Sequence, residues 1–277
     1  MKIKYLGTAA AEGIPALFCD CENCKRARKL GGRNIRTRSQ ALVDDALLID
    51  FPPDTYMHFI LHNMPLSKIK SCIITHSHYD HLYPEDVENR KKGFSHLETE
   101  EPMTFFAWDS GYKKLSEVVE KKDLSDRVKL VNIKPYEVFE TEGYTVTPFE
   151  AVHDPSSSPV VYAVEKEGKS LLYFNDSSEL KEEGMKHLMK FKDKPFNLVS
   201  FDCTMGCNDF DWEGHMGVNR CNKLKDMFLK EGIADENTIF VLHHFSHNGK
   251  NAVYDDMVEI AKEKGFLVSY DGMEIEF

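Results

Sequence analysis

Apolar and polar positions alternate in short runs along most of this chain, and the two periods they follow predict its elements. Runs rich in β-branched and aromatic residues at 2–5, 41–49, 72–75, 103–107, 128–133 and 144–152 read as strands, as do 160–164, 171–174, 198–201, 238–242, 267–270 and 274–277. Helical spacing of apolar residues occupies 54–63, 112–121, 180–190, 218–230 and 252–264. Strands come from both halves and helices separate several of them, which predicts a mixed α/β class. There is no internal repeat, low-complexity linker or glycine-rich phosphate loop. At 277 residues, the whole chain, 1–277, is expected to fold as one domain.

Charge narrows the partners. With 35 basic against 46 acidic residues the net charge is −11, which gives no general attraction to a polyanion, so long nucleic acid is not an expected partner. The local exception is Lys25-Arg-Ala-Arg-Lys29 with Arg33, Arg36 and Arg38. It reads either as a solvated helix face and loop or as an anion-attracting segment near a site. The chain opens on Met1-Lys-Ile-Lys-Tyr5 as an apparent strand with no signal-like or long apolar segment, and its cysteines number seven, an odd total. A cytoplasmic location without membrane contact is the simplest expectation.

Candidate chemistry concentrates in His76-Ser77-His78-Tyr79-Asp80-His81, directly after the apolar run Cys72-Ile-Ile-Thr75. Imidazoles and a carboxylate gathered at one strand end suit zinc, manganese or iron and leave positions open for water and substrate, so hydrolysis is the expected chemistry. His153, Asp176 and His244 each follow a further strand-like run. A lone histidine in such a place is usually a surface or hydrogen-bonded residue; an ordered series of ligand types carries more weight. Adjacent strand residues point to opposite faces, so only one of His243 and His244 faces such a site. Near the N-terminus, Cys19-Asp20-Cys21-Glu22-Asn23-Cys24 offers three thiolates which, with His247, make a closed tetrahedral set with no place for substrate, hence a structural zinc loop at about 19–24. Free thiols or half a disulfide framework is the competing reading. Cys72 reads as a core residue, and Cys203 and Cys207 as weak zinc candidates.

These motifs resemble the metallo-β-lactamase-fold hydrolases, whose signature is His-x-His-x-Asp-His after a strand, and the likeness spans nearly the whole chain. The resemblance implies an αββα sandwich of two mixed β-sheets flanked by helices, with metals at one open edge. It implies that His76, His78 and His153 hold one divalent ion, that Asp80, His81 and His244 hold another, both zinc or manganese, and that Asp176 bridges them. The family pattern His-x-x-His selects His244 over His243, and Asp50 fits the residue that supports the loop beneath the metals.

The set Cys19, Cys21, Cys24 and His247 further resembles the extra zinc site of the phosphoribosyl cyclic phosphodiesterases of the phosphonate-degradation pathway. The same cysteine pattern occurs in the quinone-cofactor biosynthesis B proteins of this fold, which generally lack the complete catalytic set. In the phosphodiesterase branch a histidine near a late helix start is the general acid. His215 matches it, and Asp202 is placed to orient either His215 or a metal-binding histidine; a surface histidine is the competing reading for His215. Asp209 and Asp211 read as loop acids. The expected function is metal-assisted hydrolysis of a small phosphodiester, such as a ribosyl cyclic phosphate or cyclic nucleotide, with Asp80 and His215 as catalytic groups and a homodimer allowed. A tRNA 3′-processing-type endonuclease, a lactonase or thioesterase, and a non-enzymatic metal-binding accessory protein are the other readings.

Overall fold

Two seven-stranded mixed sheets form the centre of the computed structural model, which describes residues 1–208 and 213–277. Asp209 and Asp211 lie outside the described residues. The first half of the chain supplies β1 (Lys2–Gly7), β2 (Gln40–Val43), β3 (Leu47–Ile49), β4 (Ser71–Ile73), β5 (Met103–Trp108) and β6 (Val128–Ile133). The second supplies β7 (Phe139–Thr141), β8 (Tyr144–Glu150), β9 (Val160–Lys166), β10 (Lys169–Phe174), β11 (Leu198–Asp202), β12 (Ile239–His243) and β13 (Leu267–Val268). The last strand, β14 (Met273–Glu276), returns to pair with β1. The sheets run in the orders β14-β1-β2-β3-β4-β5-β6 and β13-β12-β11-β10-β9-β8-β7. Pairing is parallel from β3 to β6 and from β10 to β13.

Strand alternation decides which side chains meet between the sheets. In β2 and β3, Ala41, Val43, Leu47 and Ile49 join Tyr144, Tyr162, Leu171 and Val241 of the opposing sheet, while Leu42 and Leu48 point outward to the core beneath α3 (Asp109–Lys122). On the far side, α5 (Val218–Glu231) buries Val218, Cys221, Leu224 and Phe228, and α6 (Tyr254–Glu263) buries Met257 and Ala261, against Phe174, Phe201 and Leu242. The spacing of those residues is the single apolar stripe of a surface helix. The layers are therefore helix, sheet, sheet, helix, with α1 (Glu22–Leu30), α2 (Thr55–His62) and α4 (Glu182–Leu188) completing the helices.

Several boundaries differ from the sequence pattern. The run 41–49 is a hairpin, because Asp44 and Asp45 take left-handed backbone (φ 49° and 55°) and fold β3 back on β2. The half-exposed β7 shows no clear strand period. The helices expected over 180–190 and 252–264 begin at Glu182 and Tyr254, and the segment after His153 contains a single 3₁₀ turn, Pro155–Ser157. No helix among the described residues is long and apolar enough to cross a membrane.

The helix α2 is fastened to the sheet by polar contacts. Its fully buried His58 places Nδ1 2.6 Å from Gln40 Oε1 and Nε2 2.7 Å from Thr37 Oγ1. Burial pushes the His58 pKa down to about 3, with nearby His62 adding to the shift. The folded-state value lies below the unfolded one, so the unfolded chain takes up the proton first and stability falls as the pH drops below the ordinary histidine pKa. One such group contributes about 1.4 kcal/mol per pH unit in that window. In His58→Gln, denaturant unfolding measured between about pH 6 and pH 4 is expected to show a stability slope shallower by about one proton. An unchanged slope would mean that His58 does not stay neutral in the fold.

Candidate metal centre and active site

Parallel strands deliver side chains to one sheet edge at their C-terminal ends, and the site is built there. His76 to His81 follow β4; His153 follows β8; Asp176 follows β10; Asp202 ends β11; His244 follows β12. The registers Phe174↔Phe201 and Asp202↔His243 hold the last three strand ends level. Asp50, Asp176 and His244 have left-handed backbone, with φ of 67°, 50° and 60°. Aspartate and histidine tolerate that region better than most residues, but it is a strained geometry that packing must hold. At His244 the turn directs the ring into the site, whereas His243 points into the core, 2.8 Å from Ser39 Oγ and 3.0 Å from Ser269 Oγ.

Two groups of donors converge. His78 Nδ1 lies 3.0 Å from His76 Nε2 and 3.1 Å from His153 Nε2, and His81 Nε2 lies 3.2 Å from His244 Nε2. Asp80 Oδ2 is 3.3 Å from His81 Nε2. Asp176 Oδ2 stands between the groups, 3.1 Å from His76, 3.4 Å from His81, 3.6 Å from His153 and 3.8 Å from His244. Ring nitrogens facing one another at these separations fit cations about 2.0–2.1 Å from each, the usual metal–imidazole distance.

The outer nitrogens are tied down, which assigns the tautomers. His81 Nδ1 donates to Asp50 Oδ2 at 2.7 Å, and Asp50 Oδ1 also accepts from Thr75 N at 2.7 Å. His244 Nδ1 meets Thr204 Oγ1 at 2.8 Å and Asp202 Oδ2 at 3.3 Å. His78 Nε2 faces Asp154 Oδ2 at 3.2 Å, and His76 Nδ1 lies 3.1 Å from Thr75 Oγ1. Burial pushes the His76 pKa down to about 3 and lowers His153 as well, which keeps these rings neutral and their lone pairs available. Burial opposes the charge on Asp176, but His244, His153 and His215 hold its carboxyl well below the usual range.

His215 sits just before α5, with Nδ1 3.0 Å from Asp176 Oδ1 and 3.3 Å from Asp202 Oδ2. Its ring centroid is 5.0 Å from that of His153 and 6.1 Å from that of His244. Burial works against its protonation, yet Asp176 and Asp202 raise its pKa to about 11; cations in the adjacent donor groups would oppose that rise. Gly214 makes the approach possible. Its φ is +100°, and a Cβ there would stand 3.1 Å from His153 Nδ1.

The pocket over these groups has a volume of about 320 Å³ and is lined by Glu12, His78, Asp80, Asp176, His215 and Asn248 among others. Among the described residues, its lining contains no lysine or arginine. The basic N-terminal segment therefore does not line the pocket itself, although Arg38 Nε donates to the carbonyl of Ala11 on its wall at 2.7 Å. Arg26 pairs with Asp256, Arg28 with Asp20 and Arg38 with Asp54, and Arg36 is buried over the Phe245 ring. Sequence reasoning missed Thr75, Asp154 and Thr204, each within two residues of a named candidate, where a hydroxyl or carboxylate beside a candidate ligand is the available signal. Glu12 carries no local signal, because tertiary contact alone brings it to the pocket, and Asn248, though next to His247, is an amide that no ligand pattern marks.

The thiol cluster forms separately. His247 Nδ1 lies 3.4 Å from Cys19 Sγ and 3.5 Å from Cys21 Sγ, and with Cys24 the four donor atoms lie within 4.8 Å of one another. All three cysteines are free thiols. Burial pushes the Cys24 thiol up to about 12, so a cation is what would hold it as thiolate. The donors fit a tetrahedral zinc.

Residues 46–232 match the beta-lactamase superfamily domain, and the chain belongs to that family. With its His and Asp donor groups it is a metal-binding protein of the metallo-β-lactamase fold, a class made up mostly of hydrolases. Among solved structures, Zn²⁺-bound PqqB from Methylobacterium extorquens is similar over 100% of both chains, with 21% identity and a TM-score of 0.74. A diphosphatase of the PhnP family matches over 100% of this chain and 97% of its own at 20% identity and TM-score 0.71. The short form of human tRNase Z covers 100% of this chain and 99% of its own at 16% identity and TM-score 0.68. No curated protein matches the sequence significantly.

Proposed function

We propose that this protein hydrolyses a small phosphodiester, with a ribosyl cyclic phosphate or cyclic nucleotide as the substrate class. In this reading His76, His78 and His153 hold one divalent ion and Asp80, His81 and His244 a second, with Asp176 shared, while Cys19, Cys21, Cys24 and His247 hold a structural zinc. With zinc or manganese bound, these residues would gain Lewis-acid polarisation of the phosphoryl oxygens and a water whose pKa would be brought to about 7. The observation that carries the reading is His215, a half-buried, carboxylate-supported imidazole beside both donor groups. Asp202 orients its ring, and His215 gives its proton to the oxygen that departs from phosphorus. General acid catalysis of this kind contributes about 10²–10⁴ in rate.

The small pocket, the absence of lysine and arginine from its described lining and the net charge of −11 favour a small diester over a long RNA. The test is a substrate panel with zinc- and manganese-reconstituted protein: 2′,3′-cyclic nucleotides, a ribosyl cyclic phosphate, bis(4-nitrophenyl) phosphate, a phosphoanhydride, a lactone, a thioester and a precursor tRNA. The phosphoanhydride answers to the PhnP-family diphosphatase. Cleavage of esters with no diester turned over would overturn the phosphodiesterase reading, and no turnover at all would favour an accessory role.

His215→Ala removes a proton donor and no ligand of either metal group. Turnover of a diester with a poor, alkoxide-type leaving group is expected to drop about 10²-fold or more, and of a nitrophenyl diester much less, since that leaving oxygen needs little protonation. Equal losses on the two would make His215 a phosphate-positioning residue, and no loss on either would leave it without a role in the chemistry.

A further inference from the structure

Glu12 puts a carboxylate in the wall of a pocket that, on the proposed function, receives an anion, and it belongs neither to the donor groups of the metal centre nor to the thiol cluster. The turn that carries it is held from three sides. Ala10 N donates to Phe245 O at 2.9 Å, and Ala11 O accepts from Tyr79 Oη at 3.0 Å and from Arg38 Nε at 2.7 Å. Gly13 N closes the turn on Ala10 O at 3.0 Å, with a φ of 73°. The Glu12 side chain is 40% exposed. The contacts that reach its carboxylate are long: Ser246 Oγ donates to Oε2 at 3.5 Å and Asn248 Nδ2 to Oε1 at 3.4 Å. His247 Nε2 is 3.9 Å away, beyond hydrogen-bond reach, so the carboxylate does not orient that zinc ligand. A carboxylate has about four lone-pair sites, and two such weak contacts leave most of its acceptor capacity to the pocket.

We infer that Glu12 is a specificity-determining residue: it accepts a hydrogen bond from a hydroxyl group that the substrate carries beside the scissile phosphodiester, and it discriminates against a substrate with a second phosphate in that place. The inference rests on the phosphodiesterase reading and narrows its substrate class. A second phosphate would need a cation to receive it. Among the described residues the pocket lining has no lysine or arginine, and Arg38, which reaches the wall through Ala11, has its guanidinium paired with Asp54 at 2.9 Å. Like charges brought together on binding cost affinity, and a repulsive contact of this kind is one of the two routes to specificity. The neighbours of Glu12 choose a hydroxyl over an ammonium group. Ser246 and Asn248 both offer donors, so a group bound among the three residues is best served if it accepts as well as donates. A hydroxyl does both, whereas an ammonium has no lone pair to offer.

The experiment compares three cyclic phosphodiesters that differ in one substituent: glycerol 1,2-cyclic phosphate, with a hydroxymethyl group; propane-1,2-diol cyclic phosphate, with a methyl; and the 3-phosphorylated glycerol 1,2-cyclic phosphate. Each is assayed as kcat/KM on the full-length, metal-loaded protein and on Glu12→Gln and Glu12→Ala, with thermal melting and zinc content as checks on the fold. The wild type is expected to prefer the hydroxymethyl ester to the methyl ester by about 10-fold or more, the worth of a hydrogen bond to a charged group, and to the phosphorylated ester by at least as much. In Glu12→Ala the first preference is expected to vanish. Glu12→Gln is expected to raise turnover of the phosphorylated ester about 10-fold, a gain that damage to the fold or to the thiol cluster would not produce. A hydroxymethyl preference unchanged in Glu12→Ala would overturn the inference, as would a wild type that cleaves the phosphorylated ester as well as the hydroxymethyl one. Calorimetry with glycerol 3-phosphate and propyl phosphate separates this outcome from failure of the phosphodiesterase reading. If no diester is cleaved, tighter binding of glycerol 3-phosphate by the wild type, lost in Glu12→Ala, would keep the hydroxyl contact and remove the phosphodiesterase; equal binding of the two esters would remove the contact as well.

Discussion

Asp176→Asn is expected to lower turnover by about three orders of magnitude or more, corresponding to about 4 kcal/mol of transition-state stabilisation, while the protein stays folded. The carboxylate is the group shared between the two donor sets, with Oδ2 3.1 Å from His76 and 3.4 Å from His81. Asparagine keeps the shape and tolerates the backbone φ of 50°, so the change tests the negative charge rather than the turn. Metal analysis should show fewer catalytic ions per chain, with the ion of the thiol cluster retained, and the melting temperature should move by only a few degrees. A wild-type rate in this variant, or an unchanged metal count, would refute the bridging role of Asp176.

The thiol cluster is expected to respond in the reverse order, stability first. Cys21 is exposed and packs against no core, so Cys21→Ser tests ligation almost alone. If Cys19, Cys21, Cys24 and His247 enclose zinc, the binding energy of that ion is folding energy. Its loss should cost about 3 kcal/mol or more, seen as a fall of about 10 °C in melting temperature. Activity should follow later, because His244 and His247 share one short segment and disorder at the second shifts the first. Added zinc should raise the melting temperature of the wild type and leave the variant nearly unchanged. A variant with wild-type melting and a full zinc complement would show that the cluster is not a folding site.

How much of this was legible in the sequence depended on how local each signal is. The cluster His76 to His81 is dense enough to read directly, because its ligand types follow one strand in close order. His153, Asp176 and His244 are legible as strand-end residues, and the structure brings all three to the same edge. The choice between His243 and His244 needed the family pattern, since it turns on a backbone φ of 60° that no residue type announces. The hairpin at Asp44 and Asp45 was hidden because the apolar residues on either side continue the strand pattern. Least legible was the fate of the basic segment: Arg26 and Arg38 find their partners in Asp256 and Asp54, and only the folded chain reveals that their charge is spent.

Asp176 and His244 stand on backbone that asparagine and glycine occupy more comfortably than most side chains. Each therefore has an easy exit by mutation, toward a residue that relaxes the turn and loses the ligand or its support. A lineage released from selection for the chemistry would drift out of it first at these strand ends, keeping the sandwich and becoming sturdier as it did so. Loss of function at these two turns is downhill for folding, so a descendant that has kept both residues carries them against the grain of its own stability.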